Sequence, residues 1–145
     1  MANSYGTATN TANITAANSA ANGTYSLIGQ YDLGAAPPHE LLVEVKLTPS
    51  ATPSSVNKQS VLLLAASTDG TNWSDAPTTA TESNSRFIGS IAHPDATARQ
   101  APAVPVSPHF GGVLPRYLRV YVKNDTGVAY AASGHSIVAT TETLG

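Results

Sequence analysis

Two short stretches constrain the fold of this chain more than anything else in it. In Leu41–Leu47 (LLVEVKL), Leu41, Val43, Val45 and Leu47 fall on one side while Glu44 and Lys46 take the other. In Arg116–Asn124 (RYLRVYVKN), Leu118, Val120 and Val122 alternate with Tyr117, Arg119, Tyr121 and Lys123. Apolar residues at every second position suit a β-strand with one buried face, because successive side chains leave a strand on opposite sides. No segment holds the 3.6-residue apolar spacing over the length of a helix.

The rest of the chain extends this pattern. Tyr25–Asp32 reads as a strand ended by Gly34 and Ala36-Pro37-Pro38, and Pro49–Ser60 is a Ser/Pro loop. Ser60–Thr68 (SVLLLAAST) is apolar without interruption, which predicts a central strand covered on both faces. Asp69-Gly70 predicts a tight hairpin turn leading to Trp73, since glycine supplies the positive φ such turns need. Thr78–Ser85 is polar loop and Arg86–Ile91 a short strand. Pro94, Pro102, Pro105 and Pro108 make His93–Gly112 loop or irregular edge. Asp125-Thr126-Gly127 turns the chain into two closing strands, Val128–Ala132 and His135–Thr141. Seven or eight short strands between Gly and Pro turns predict an all-β fold, an antiparallel β-sandwich or jelly roll over residues 25–145. The 145 residues fit one domain.

Residues 1–24 contain no charged side chain and only Ile14 as a large aliphatic. Such a segment cannot build a core of its own. It is a solvated tail or an extended N-terminal arm that orders against a neighbouring subunit by strand addition, with Asn13–Ala16 the piece able to pair. On this reading the sandwich folds without it.

Charged residues make up only 11% of the chain, against about 25% in an average soluble domain. The net charge is -2, far from the clustered basic surface of a nucleic-acid-binding domain. Ser, Thr, Asn and Gly carry the polarity instead. They lose little side-chain entropy and no charge solvation when a partner covers them, so the surface suits a protein blanketed by neighbours. Such a protein is expected to be a homo-oligomer, dimer or trimer, a conclusion strengthened by the two-sided apolar strand Ser60–Thr68. No secretory leader is visible, and nothing approaches the roughly 18 apolar residues of a membrane span. Neither nucleic acid nor membrane is an expected partner.

The residues offer no catalytic constellation. His39, His93, His109 and His135 lack any metal-ligand spacing and read as loop and edge histidines, and there is no cysteine. Ser55-Val56-Asn57-Lys58 matches S-x-x-K in a Ser/Pro loop without its companion motifs, and Gly134-His135-Ser136 fails as a nucleophile elbow. No cofactor, no metal and no enzymatic activity are expected. Trp73 and the tyrosines are a sugar-stacking platform or, in the reading preferred here, sandwich packing beside the hairpin. Arg116, Arg119 and Lys123, near one another on the outward face of the best strand, are a solvated face or a contact patch for an acidic partner. Tyr117, Arg119 and Tyr121 on that face, with Trp73, are the candidate protein-contact residues, since Tyr and Arg are enriched in interface hot spots.

The blocks S-T-D-G-T-N-W-S (Ser67–Ser74), R-F-I-G-S-I (Arg86–Ile91) and L-P-R-Y-L-R-V-Y-V (Leu114–Val122), with a terminal T-E-T-L-G, resemble the small jelly-roll cement or decoration proteins of tailed bacteriophages. The resemblance covers roughly residues 25–145. It implies a structural virion protein made in the host bacterial cytoplasm and added to the capsid exterior. There it would clamp neighbouring copies of the major capsid protein and oligomerise at symmetry axes. A tail or baseplate attachment module and a carbohydrate-binding module are the alternatives.

Overall fold

The computed structural model describes residues 2–73, 86–101 and 103–145. Among the described residues, nine strands form two antiparallel sheets: β1 Ser4–Thr7, β2 Tyr25–Asp32, β3 Glu40–Leu47, β4 Gln59–Ser67, β5 Arg86–Ala92, β6 Arg99–Gln100, β7 Val104–Pro105, β8 Tyr117–Asp125 and β9 Ser136–Thr143. Ile14–Ala17 and Ser107–Phe110 are short 3-10 helices. One sheet runs β1-β9-β3 and then β6, with β7 also on β3; the other runs β2-β8-β4-β5. Gln100 pairs with Lys46 and Val104 with Val43, so β6 and β7 together take one strand's place beside β3.

With those two pieces counted as one, the pairings are first with last, second with second-last, third with third-last, and the middle two with each other. That is a long hairpin rolled up so that alternate pairs fall into opposite sheets, the double Greek key of a jelly roll. The fold is therefore the all-β sandwich that the alternation predicts, in its jelly-roll form.

Alternation places the core. Leu41, Val43, Val45 and Leu47 of β3 are fully buried and face Leu62, Leu64, Leu118, Val120, Val122 and Ile28 of the other sheet. Each such side chain contributes roughly 1.5–3 kcal/mol by leaving water. Ser60–Thr68 is indeed an interior strand, β4, between β8 and β5, and both its faces are covered: Leu62 and Leu64 lie in the core, Leu63 and Ala65 in a second cluster outside it.

Four expectations change. The segment before residue 25 lies on its own sandwich. β1 pairs with β9 from Ser4↔Thr143 to Thr7↔Thr140 and supplies the first strand of the jelly roll. Ala17 is fully buried in the core, and Asn13–Ala16 starts a 3-10 helix, with the Asn13 side chain accepting from the Thr15 amide, and makes no strand. The packing therefore has no boundary at residue 24.

Val128–Ala132 is not a strand either. Its only ladder contact is the bridge Pro49↔Tyr130. The backbone there is satisfied otherwise: the Tyr130 amide donates to Ala20 O, the Ala131 amide to Thr48 O, and Val128 O accepts from the side chains of Asn124 and Thr126. Gly127 is needed in that turn, because at φ 88° a Cβ would sit 2.3 Å from Ser55 N.

Asp69-Gly70 makes a turn, with Gly70 at φ 75°, but not a tight hairpin. Trp73 is outside any strand, and β4 pairs next with β5, starting at Leu64↔Arg86. The polar stretch Thr78–Ser85 lies outside the described residues. His93 does lie in the loop that follows β5, as read, and is fully buried there.

Candidate functional site

The outward face of the β2-β8-β4-β5 sheet gathers the sequence-selected residues. Tyr121 on β8 is paired with Leu27 on β2 and Leu63 on β4, and Leu63 in turn with Phe87 on β5. These four point away from the core, so an apolar row crosses the whole sheet. Leu63, Ala65 and Tyr121 are buried within it, with Tyr25, Leu27, Val61 and Trp73 packed around them. Phe87 closes the row at the sheet edge and is 59% exposed.

Two β-bulges aim these side chains. The β2–β8 register shifts between Leu27 and Gly29, with Ile28 turned into the core. Gln30 thereby faces outward like Leu27 and accepts a hydrogen bond from Arg119 Nε at 2.9 Å. The β4–β5 register shifts at Leu62/Leu63, turning Ile88 inward and Phe87 outward. A bulge re-aims a side chain in this way, and bulges on edge strands also discourage edge-to-edge pairing.

Cations lie over the rings of this face. The Arg119 guanidinium carbon is 4.0 Å from the Trp73 ring centre, and Lys123 Nζ is 5.5 Å from that of Tyr25. Arg116 sits 4.8 Å over Tyr117 and is also paired with Asp32 at 3.3 Å. Each cation–ring contact is worth about 0.5–1 kcal/mol at an exposed site. Among the described residues, neither Arg119 nor Lys123 meets a carboxylate. The face is an apolar centre with two charged groups held in place at its border.

The Ser67–Asn72 turn holds Trp73 beside the sheet. One Asp69 oxygen accepts from the Thr71 and Asn72 amides and the Ser67 hydroxyl, and the other from Asn72 Nδ2, all within 2.9 Å. The Asn72 and Thr71 amides, with the Asn72 and Ser67 side chains, hold the carboxyl well below the usual carboxylate range. Gly70 lies against the Tyr117 ring. The cavity beside this turn, lined by Ala66, Ser67, Thr68, Asn72 and Pro115, is about 230 Å³. That is smaller than the roughly 300–1,000 Å³ of small-molecule sites.

Of the sequence-selected residues, Arg119, Tyr121 and Trp73 are brought together, while Tyr117 lies further along β8 under Arg116. Tyr121 is only 7% exposed, so it supports the face more than it offers contact area. Tyr25 and Phe87, also on this face, carry no signal of a site in their own sequence, whereas Lys123 lies on the charged side of β8 that the sequence marks. Tyr25 and Lys123 are register partners, a pairing visible only once β2 is known to lie beside β8.

A second polar constellation lies inside the sandwich. Ser60 Oγ is 2.9 Å from His93 Nε2 and 2.5 Å from Tyr130 Oη. A serine beside a histidine is also the pairing of nucleophilic catalysis, and here Ser60 and His93 are both fully buried. Among the described residues, His93 Nδ1 has no hydrogen-bond partner. Burial, helped by the nearby Arg99 charge and opposed by Asp95, pushes the imidazole down to about 4, so the ring is neutral at pH 7.

The chain matches no family model, no curated protein and no solved structure to which it was compared.

Proposed function

We propose that this chain is a capsid cement protein: it binds the outside of an assembled phage head, bridges major capsid subunits and performs no turnover. The observation that carries this reading is the outward face of the β2-β8-β4-β5 sheet. A rigid face of half-buried Tyr25, Leu27 and Val61 with exposed Phe87, bordered by two cations that meet no carboxylate among the described residues, suits coverage by a protein partner. The sugar-binding alternative is less well served. Stacking on a sugar needs a bare ring, and one face of Trp73 already carries the Arg119 guanidinium. Copies of the chain would meet one another on the head, around its symmetry axes.

A cement that binds the shell but not free subunits stabilises it by mass action, about 2.7 kcal/mol per site at a hundredfold excess over Kd. Repetition over many sites turns modest affinity into a large effect. The test is to strip this protein from virions that carry it and compare DNA release on heating before stripping, after stripping and after adding it back. Earlier release on stripping, reversed by add-back, supports cement. Equal heat resistance, or attachment to tails alone, overturns it.

A further inference from the structure

We infer that the outward face of the β2-β8-β4-β5 sheet docks onto an acidic protein surface, with Phe87 as the apolar anchor and Arg119 and Lys123 as the carboxylate-binding groups. The inference deepens the cement reading, on which it rests for the identity of the acidic surface, by naming the face used and the chemistry it recognises.

The two cations are half-buried and positioned in advance. The guanidinium of Arg119 is fixed by Trp73 beneath it and by Gln30 at Nε, and Lys123 is held over Tyr25. Among the described residues, the terminal nitrogens of Arg119 and the Lys123 ammonium have no hydrogen-bond acceptor, so their donors are available to carboxylates. Less side-chain entropy is lost on binding because packing has already restricted both.

A second copy of this chain is a poor occupant. Every described side-chain carboxylate already accepts a hydrogen bond within its own molecule: Asp32 from Arg116, Glu40 from Ser107, Glu44 from Gln100, Asp69 from Asn72, Asp95 from Arg99, Asp125 from Asn57 and Glu142 from Asn3. Two cations on a chain of net charge -2 are also too few for the phosphate contacts that drive nucleic-acid binding. The apolar row favours a partner with apolar and acidic groups together, as a protein surface has.

Trp73, the only tryptophan, lies at the face and reports its occupation by fluorescence. The full chain is titrated with a random glutamate–tyrosine copolymer, which contains no tryptophan, and separately with stripped heads. Polylysine, a single-stranded oligonucleotide and anionic vesicles serve as comparisons. The expected result is a saturable change in Trp73 emission with the copolymer and none with the comparisons. Arg119→Glu combined with Lys123→Glu should weaken copolymer and head binding by at least about tenfold. Phe87→Ser, at an exposed position that leaves the fold intact, should weaken both several-fold. Val138→Ser on the opposite sheet should change neither, and melting curves should show all variants folded. If heads bind equally to wild type and face variants, the surface assignment falls while the cement reading stands. Copolymer binding that depends on the face, with no binding to heads, keeps the surface and sinks the cement reading. Preferential binding of the oligonucleotide or vesicles, or self-association lost in the face variants, overturns the proposed partner.

Discussion

His93 is the residue whose environment departs furthest from its surroundings in the sequence. It follows Ile91-Ala92 at the end of β5, yet its ring reaches the buried Ser60 hydroxyl 33 residues away, which in turn meets Tyr130 another 70 along. Nothing local to His93 announces those partners, and Tyr130 arrives from a segment with little ladder pairing of its own. Its imidazole is neutral in the fold and takes a proton near its ordinary value of 6.5 when unfolded. The unfolded state therefore binds more protons between pH 4 and pH 6.5, and stability falls as pH drops through that window. One proton sets a limit of about 1.4 kcal/mol per pH unit. Urea midpoints should be flat above pH 7 and decline between 6.5 and 4. His93→Phe should flatten that decline whatever its effect at pH 7, and an unchanged slope would remove His93 as the cause. On the outer face, Tyr121→Ala should cost roughly 3 kcal/mol, because a nearly covered ring leaves a cavity. Arg119→Ala should cost under about 1 kcal/mol while shifting Trp73 emission to the red. Equal costs for the two would contradict the division between a supporting ring and a bordering cation.

At the scale of elements, the strands with an alternating or continuous apolar pattern, β2, β3, β4, β5 and β8, were legible because each records in its own sequence which face it buries. β1 was not. Ser4–Thr7 is exposed at every position and is held through backbone pairing with β9, so burial left no trace in its residues. β6 and β7 are two residues each, too short for any period to register. The outer face was half legible: β8 showed which side Arg119 and Tyr121 take, but only the sheet order places Tyr25 and Phe87 beside them. The N-terminal segment also carries more than its composition suggested. Asn124, fully buried at the end of β8, donates to Ala20 O, and the Gly23 amide bonds Asn124 O. Deleting residues 1–24 would remove Ala17 from the core and take the Ala20 and Gly23 partners from Asn124, whose side chain would keep only its bonds within residues 124–128. Each lost hydrogen bond costs about 0.5–1.5 kcal/mol. A chain starting at Tyr25 should therefore melt at least ten degrees lower or fail to fold, whereas one starting at Thr9 should lose only β1 and a few degrees. Identical melting of the full chain and the shorter of these two would show that the segment is dispensable to the sandwich after all.

The whole molecule changes the argument for self-association. The expectation of an oligomer drew on a central strand apolar on both sides, which would need a neighbour to cover it. In the folded chain that second side is covered from within, by Tyr121, Tyr25 and Trp73 packed over Leu63 and Ala65. Among the described residues, the large apolar side chains left exposed are Tyr5 on β1, Phe87 on β5, Val138 on β9, and Val56, Val113 and Leu144 outside the strands. Single exposed apolar residues of this kind are ordinary on monomers, whereas stable dimers bury about 800 Å² on each partner with a continuous apolar centre. The described side-chain carboxylates each accept a hydrogen bond within the chain, which leaves less for the cations of a second copy to meet. Free in solution the protein is therefore expected to be a monomer, with copies brought together only where a repeating partner lattice aligns them. Sedimentation velocity between 1 and 100 µM should give one species of 14.8 kDa at every concentration. A stable dimer or trimer at the lowest concentration would mean that the exposed residues outside the β2-β8-β4-β5 face form an interface of their own, and that assembly precedes docking.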